Sequence, residues 1–477
     1  MEHNPLFDAL LGLGWLWLGM LMYWAWLQRH RAANSTLPTP AKAIKTRSKE
    51  PKPFGGLIDK PLCIACEQAA DSRPKAPSPP PPLLTFTRGR RRTVDTQQQF
   101  CPDLDCSYYG RAGWGNIRSN GHPGGKPWRQ LQCVACHGYF QETHGTPVHG
   151  KRVPPEMLVW AVGALAEGLG IRAVARVFEV DPNTVLQWLV EGADHAAAFS
   201  RYFLHAMQVN QVQLDELFAL LSAVKDSEVT AAEATQHLSR SPHWVWVAMD
   251  PASKLILTIA VGDRTLALAQ CVVHQVVQVL APNCVPLFLT DSFWEYMMAL
   301  LTHYGQWVQP PRQRAQGPAP KPRWMPLPQL LYAQVVKKYR RRHLVRVSHR
   351  VVFGTLEAVE QVLAAQGWQI NTAFIERLNL DIRQHVAAVG RRVNTLCKHE
   401  VGLRQQLTLY QLYHNFCLSH ASLRQSLPQP EPTHGSGSVK QWRPCTPAMA
   451  TGLTDQVWTL REVLLFRVPP WPQAQGL

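Results

Sequence analysis

The stretch VQLDELFALL at residues 212–221 is an apolar run that holds two adjacent acids, Asp215 and Glu216. It is followed by HWVWVAMDPAS (243–253) and KLILTIAVGD (254–263), which are rich in β-branched and aromatic residues and meet at a Pro-Ala-Ser turn. Such composition, bounded by turn-forming residues, is typical of β-strands. The three segments therefore predict one strand followed by a hairpin.

A helix and a further strand follow this predicted meander. TLALAQCVVHQVVQVL (265–280) has apolar residues at helical spacing, and VPLFLTDSFWEY (285–296) has the pattern of a buried strand that ends at Asp291. Three meandering strands, a helix and a fourth strand with an acid at its end form the order of a ribonuclease-H-like α/β fold. In that order the first and fourth strands are neighbours, so we expect Asp215 and Asp291 to lie side by side.

A later helix-like segment supplies a third acid. NTAFIERLNLDIRQHVAAVGRR (371–392) carries Glu376, with Asn379 three residues later. Two Mg²⁺ or Mn²⁺ ions about 3.5–4 Å apart activate a water or 3′-hydroxyl and stabilise a leaving oxygen, and such hard cations bind carboxylate oxygens. Each acid alone is equally consistent with an ordinary strand-end or helix-surface carboxylate. Together with Asp215 and Asp291, Glu376 predicts a site for two such ions.

Two close pairs of cysteines lie upstream of this core: Cys101, Cys106, Cys133 and Cys136. Thiolate pairs on two turns form the tetrahedral site that Zn²⁺ prefers, and a domain of roughly 45 residues buries too little core to fold without such a metal. The spacing predicts a structural zinc ribbon. Two alternatives remain open: His122, His137 or His144 replaces one ligand, or the four cysteines are unrelated.

Residues 154–206 have the pattern of three helices. Asp181 followed by Pro182 is an N-cap with proline at the first helical position. A short helix, a tight turn and a capped helix form a helix-turn-helix, whose last helix enters the major groove of DNA; a plain helical bundle is the alternative. On the last helix we expect DNA contacts from Asn183, Thr184 and Gln187. We expect inward packing from Val185, Leu186 and Leu189.

Residues 305–350 have the pattern of an inserted basic segment. Between 311 and 350 there are 11 Lys/Arg and no acid, interleaved with aromatic residues. Basic side chains neutralise DNA phosphates, so this is the best backbone-binding candidate in the chain. A solvated basic face is the alternative. The residues proposed to bind DNA here are Lys337, Lys338, Arg340, Arg341 and Arg342.

The N-terminal part has a different character. Residues 9–27 contain no charge and include four tryptophans, which predicts a transmembrane helix. Arg29 and Arg31 follow it, so the positive-inside rule places the rest of the chain in the cytoplasm, anchored to the inner face of the membrane. An apolar extension without a role is the alternative. Residues 31–99 form a basic, proline-rich linker, in which Cys63 and Cys66 form an isolated pair.

Composition limits the class of protein. Of the 477 residues 46% are hydrophobic and 17% charged, so most of the chain can bury a core. A net charge of +16 disfavours an acidic-surface enzyme and indicates a polyanionic partner, either nucleic acid or an anionic membrane face. The 11 cysteines are an odd number, and the close spacing of four favours metal binding over a disulfide framework.

Several of these blocks together resemble a known family. LDELFALL, WVWVAMDPASKLILTIAVGDRT, LTDSFWEY and INTAFIERLNLDIRQHVAAVGRR are similar to successive blocks of the InsB-type DDE insertion-sequence transposases (insertion sequence one family), over roughly residues 100–425. The resemblance implies that Asp215, Asp291 and Glu376 bind the catalytic metals and that Asn379 is an accessory polar residue. Ser292 departs from the glycine that the family often has there.

The sequence thus predicts a DDE transposase that binds the ends of its element and performs metal-dependent DNA cleavage and strand transfer, as a homo-oligomer in a synaptic complex. Two alternatives remain: a membrane-tethered DNA-binding regulator with a relic catalytic core, and a structure-specific nuclease. The predicted parts are a transmembrane helix (1–30), a linker (31–99), a zinc ribbon (100–150), a helix-turn-helix (151–206), a catalytic domain (207–425) and a tail (426–477).

Overall fold

The computed structural model describes residues 96–125, 127–219, 243–311, 320–341, 343–389, 397, 399–432 and 438–471. All of them belong to one compact unit, residues 60–477. The predicted membrane helix at 9–27 lies outside the described residues, as do Cys63, Cys66 and nearly all of the linker. None of the described helices is both long and apolar enough to cross a membrane.

The first described part is a small antiparallel sheet in the order β1-β2-β3. Its strands are β1 (Ile117–Ser119), β2 (Gln130–Cys133) and β3 (Tyr139–Gln141). The core beneath it contains few large apolar side chains besides the cysteines, chiefly Ile117, Leu131 and Phe140. A core of this size contributes little hydrophobic stabilisation by itself.

Three helices follow: α1 (Pro155–Ala166), α2 (Ile171–Val177) and α3 (Pro182–Phe203). The predicted cap is confirmed, because the Asp181 carboxylate accepts a hydrogen bond from the backbone N–H of Asn183 at 2.8 Å. The prediction for Leu186 is wrong, since this side chain is 41% exposed. Helical spacing places Val185, Trp188 and Leu189 on the buried stripe, and position 186 falls outside it.

The largest part of the molecule is a six-stranded mixed sheet in the order β11-β10-β7-β4-β5-β6. Strands β4, β7 and β10 run parallel, and the remaining pairs are antiparallel. The α/β class is confirmed, and this sheet is consistent with a ribonuclease-H-like fold. Its strands are β4 (Gln211–Ala219), β5 (His243–Met249), β6 (Ile256–Gly262), β7 (Leu287–Thr290), β10 (Leu331–Arg340) and β11 (His343–Phe353). A separate two-stranded sheet is formed by β8 (Gly305–Val308) and β9 (Arg323–Pro326).

Helices cover both faces of this sheet. On one face Trp246 and Phe288 pack against Tyr296 in a single apolar cluster. On the other face Ile375 and Leu407 belong to a separate cluster. The helices are α4 (Leu266–Val279), α5 (Glu295–His303), α6 (Leu356–Ala364), α7 (Ala373–His385) and α8 (Glu400–Leu412). The sheet is therefore the middle layer of three, and its strand ends at one edge are left to carry polar groups.

Two segments differ from the sequence prediction. The predicted insertion covered residues 305–350, but its part from residue 331 onward forms β10 and most of β11 of the main sheet. Residues Leu331–Val336 of β10 are buried or partly buried, whereas the basic residues after them are largely exposed. Because these basic residues dominate the composition of the segment, its sequence did not predict a strand. The second half of the predicted insertion is therefore part of the main sheet and not an addition to it.

The tail is also part of the fold. It consists of β12 (Gln425–Glu431), β13 (Lys440–Arg443), α9 (Pro447–Ala450) and α10 (Leu460–Leu465). Val463 and Leu464 are buried in the same cluster as the helices α1 to α3. Beyond α10 the Arg467 guanidinium donates hydrogen bonds to the backbone carbonyls of Phe100 at 3.0 Å and His144 at 2.8 Å. The tail thus connects the small β-sheet to the helices.

Candidate functional site

Two neighbouring parallel strands bring the first acids together. In the ladder between β4 and β7, Leu214 lies opposite Thr290, so the next residues are Asp215 and Asp291. One carboxylate oxygen each from Asp215, Glu216 and Asp291 lies within 4.8 Å of the others. The expected approach of Asp215 to Asp291 is confirmed. Glu216 is an additional member, for which the sequence suggested no role.

Burial and mutual repulsion make this acid cluster (Asp215, Glu216 and Asp291) unfavourable without a cation. Burial, with the neighbouring Asp291 and Glu216 carboxylates, raises the pKa of Asp215 to about 7. Burial also raises the pKa of Glu216 to about 7, although Arg264 acts in the opposite direction. A bound divalent cation favours the ionised carboxylates and removes this penalty.

Arg264 provides one fixed positive charge in the cluster. Its Nη2 lies 3.0 Å from Oε2 of Glu216 and 3.8 Å from Oδ2 of Asp291. The guanidinium carbon also lies 4.0 Å from the ring centroid of Phe293 and 5.2 Å from that of Trp244, within cation–π range. Arg264 is thus paired more closely with Glu216 than with Asp291.

The helix α7 is attached directly to β4 next to these acids. The buried Gln213 side chain donates to the carbonyl of Asn371 at 3.0 Å and accepts from the backbone N–H of Ile375 at 3.1 Å. One turn further along, Nδ2 of Asn379 donates to Oδ2 of Asp215 at 2.8 Å. The amide oxygen of Asn379 is buried and has no hydrogen-bond partner within the described ranges. These contacts place Asn379, which the sequence predicted as an accessory polar residue, against Asp215.

Glu376 lies close to the acid cluster and is not one of its three members. It is near enough to contribute to the raised pKa of Asp215. Its carboxylate forms an ion pair with the Lys337 ammonium and accepts a hydrogen bond from the Thr372 hydroxyl at 2.7 Å. The structure thus brings two of the three predicted acids together, and places the third beside a lysine that the sequence suggested for DNA binding.

These donors fit a hard divalent cation. Carboxylate oxygens and a buried amide oxygen without a hydrogen-bond partner are the ligand types that Mg²⁺ and Mn²⁺ accept. The site is open on one side, because the Asp291 side chain is 39% exposed. An open, acid-lined site of this kind admits a substrate phosphate beside the metal.

The cysteine cluster (Cys101, Cys106, Cys133 and Cys136) has the geometry of a closed metal site. The Sγ atoms of Cys101 and Cys136 are 3.6 Å apart, and those of Cys106 and Cys133 are 3.8 Å apart. Four sulfurs at about 2.3 Å from a tetrahedral Zn²⁺ are about 3.8 Å from one another. His122, His137 and His144 are not members of the group. Four thiols at this spacing fit zinc and need no histidine.

The other predicted DNA contacts lie on two surfaces. On α3, Asn183 and Gln187 are exposed and Thr184 is partly exposed. The Gln187 amide also donates to Glu191 at 2.9 Å. Three basic side chains are exposed at the outer end of β10 and in the turn after it: Lys338, Arg340 and Arg341. Arg342 lies outside the described residues.

The fold and the acid cluster define an α/β protein with a candidate site for divalent metal ions where β7 ends beside the middle of β4. Comparison of the sequence with protein-family models and with curated proteins found no match.

Three solved structures show partial similarity. The Mos1 strand transfer complex has 16% identity, covers 31% of this chain and 55% of that chain, and gives a TM-score of 0.12. A Mos1 transposase paired-end complex with the left transposon end has 14% identity, covers 56% of this chain and 77% of that chain, and gives a TM-score of 0.18. A pre-cleavage Mos1 transpososome has 15% identity, covers 32% of this chain and 59% of that chain, and gives a TM-score of 0.13.

Proposed function

We propose that this chain is a metal-dependent DNA-cleaving and strand-transferring enzyme, a DDE transposase of an insertion element. One observation carries the proposal. Asp215, in the middle of β4, and Asp291, directly after β7, lie next to each other on adjacent parallel strands, and Asn379 of α7 donates a hydrogen bond to Asp215. The sequence blocks quoted above support the InsB-type family as the more specific assignment.

The chain's own residues divide the work at this site. Asp215 and Asp291 would hold the metal ions, with Glu376 as the further ligand once it leaves Lys337. When bound, two Mg²⁺ or Mn²⁺ ions activate a water or 3′-hydroxyl and neutralise charge on the scissile phosphate. Asn379 fixes the orientation of the Asp215 carboxylate, and Arg264 offsets the charge of Glu216.

DNA recognition is assigned to the parts outside this site. The cysteine cluster would bind structural Zn²⁺ and stabilise the ribbon, and α2 with α3 would read the element ends through Asn183, Thr184 and Gln187. Lys338, Arg340, Arg341 and Arg342 would contact DNA phosphates. Since transposition joins two ends, we propose a homo-oligomer in the synaptic complex. Residues 9–27 would anchor this assembly to the inner face of the membrane, and cell fractionation with and without them tests that point.

The experiment that tests the enzyme is cleavage of a supercoiled plasmid carrying the native flanking DNA by the full-length chain with Mg²⁺ or Mn²⁺. We expect nicks at the element boundaries, and none with Asp215→Asn or Asp291→Asn. Glu360→Gln is the matched control, because Glu360 is an exposed acid on α6. Specific binding of the element ends without cleavage by the wild-type chain would instead support a regulator with a relic core.

A further inference from the structure

Strands β10 and β11 extend past the end of β7 at the acid cluster, separated there from the pair β4 and β5, which continues past β7 on its other side. β10 pairs with β7 only from Leu331 to Gln334, yet it continues to Arg340 in a hairpin with β11. Because β7 and β10 are parallel, the six further residues project past the end of β7, where Asp291 follows. At about 3.3 Å per residue the projection is about 20 Å. We call residues 335–341 and 343–349 the overhanging ribbon.

The two faces of the overhanging ribbon differ in chemistry. Residues directly opposite each other in an antiparallel ladder share a face. Lys338 with Arg346, and Arg340 with His343, form one face, which is basic. The register places Lys337 with Val347, and Tyr339 with Leu344, on the other face. Tyr339 is 62%, Leu344 51% and Val347 46% exposed, so this second face offers apolar surface to a partner.

Charge decides which partner fits the ribbon. Residues 331–353 contain seven Lys/Arg and no acid. β11 is the edge strand of the sheet, a position that invites pairing with another chain. A second copy would place like charges opposite each other, which is unfavourable, whereas a nucleic acid duplex presents a continuous row of phosphates.

The base of the ribbon is fixed to residues around the active site. The Arg350 guanidinium donates from β11 to the Gln334 side chain at 3.0 Å. The Gln334 amide in turn donates to the carbonyl of Phe293 at 3.3 Å, two residues after Asp291. On the opposite face Lys337 forms the ion pair with Glu376. The position of a duplex on the ribbon would therefore be set relative to the acids.

We propose that the overhanging ribbon enters the major groove of the DNA duplex that is cut, directly beside the acid cluster. The major groove, about 12 Å wide and about 8.5 Å deep, admits a two-stranded β-ribbon. The face with Tyr339, Leu344 and Val347 turns toward the base edges, and the long side chains of Lys338, Arg340 and Arg346 on the outer face reach sideways to the phosphates that border the groove. This proposal rests on the proposed function and adds the groove, the binding element and its register to the active site.

The test measures binding separately from cleavage. Fluorescence anisotropy with a 30-base-pair duplex is done on the full-length chain carrying Asp291→Asn. We expect Lys338→Gln/Arg346→Gln to weaken binding at least tenfold and to reduce the slope of log K against log salt by about 2. Lys321→Gln/Arg323→Gln removes the same charge at exposed positions outside the ribbon and is expected to have a smaller effect on both. Equal effects of the two double variants would overturn the proposal.

A second readout identifies the groove and the apolar face. We expect the ribbon to protect guanine N7, which lies in the major groove, from methylation, and Leu344→Ser/Val347→Ser to remove this protection. If these two substitutions instead dissociate a dimer in sedimentation and leave DNA binding unchanged, the face is a protein interface and the proposal is wrong. The proposed function fails separately, when the wild-type chain binds DNA through the ribbon but does not cleave it.

Discussion

The cysteine cluster and the acid cluster collect metal-binding side chains in opposite ways. The cysteine cluster joins four soft ligands at close spacing beneath a sheet with almost no other core. The acid cluster lies at the edge of a large three-layer core, is partly exposed, and is surrounded by Arg264, Lys337 and Asn379. A closed site stabilises a fold, whereas an open site with nearby cations leaves positions for substrate. The comparison therefore separates a candidate structural metal site from a candidate catalytic one.

The largest expected effect lies in the cysteine cluster. Cys133→Ser removes a fully buried ligand, so we expect loss of one bound zinc per chain and unfolding of residues 100–150. Apparent zinc binding energies of about 10–16 kcal/mol in small domains exceed what this core can replace. Zinc content by mass spectrometry and limited proteolysis measure the change. Cys271→Ser, a buried cysteine on α4, should leave the zinc content unchanged.

Within the acid cluster, the two adjacent acids should differ strongly. Asp215→Asn should reduce single-turnover cleavage at least a thousandfold, about 4 kcal/mol in the activation barrier. Glu216→Gln should reduce it tenfold or less, because Arg264 already engages Glu216. Single-turnover cleavage rates of the two variants, measured at saturating Mn²⁺, test this difference. A larger loss in Glu216→Gln than in Asp215→Asn would exchange the roles assigned to these residues.

The two clusters should respond to pH in opposite directions. Burial holds the pKa of Asp215 and Glu216 at about 7 in the folded chain, so the folded state binds the extra protons. Without added divalent metal, this contribution to the free energy of unfolding falls by about 3 kcal/mol for each carboxyl as pH rises from about 4 toward 7. Thiol protonation instead releases zinc at low pH.

Thermal melting at pH 5.5 and pH 8, with and without Mg²⁺, measures this difference. We expect Mg²⁺ to raise the melting temperature more at pH 8 than at pH 5.5, because only ionised carboxylates bind it. The double variant Asp215→Asn/Glu216→Gln should show neither the pH effect nor the Mg²⁺ effect. Persistence of both effects in that variant would place their origin elsewhere in the chain.

The smallest expected effect concerns Arg264. Arg264→Gln removes a positive charge 3.8 Å from Asp291, so Mn²⁺ should bind about tenfold more tightly at pH 8, about 1.4 kcal/mol. Isothermal titration calorimetry measures this affinity. Arg404→Gln serves as the control, since Arg404 pairs with Glu400 on α8. Weaker Mn²⁺ binding in Arg264→Gln would mean that the arginine organises the acids instead of competing with the metal.

The sequence predicted those features that depend on local residue patterns and on the order of the strands. The apolar runs around Asp215 and Asp291 and the meander between them are sufficient to predict that these acids meet, because neighbouring strands fix their register. The contacts of Arg264 and Lys337 were missed because each joins positions far apart in the sequence. The buried half of β10 was missed because the basic residues that follow it dominate the composition of the segment.

Arg467 connects residues that the ribosome synthesises early to residues that it synthesises late. It is 4% exposed and joins the carbonyl of Phe100, 367 residues earlier in the chain, to the end of the protein. At about 5–20 residues per second a ribosome needs about 20 to 70 s to make that stretch. The small β-sheet is therefore synthesised long before its contact with Arg467 can form. A chain that terminates early would carry the cysteine cluster without the arginine that joins it to the helices.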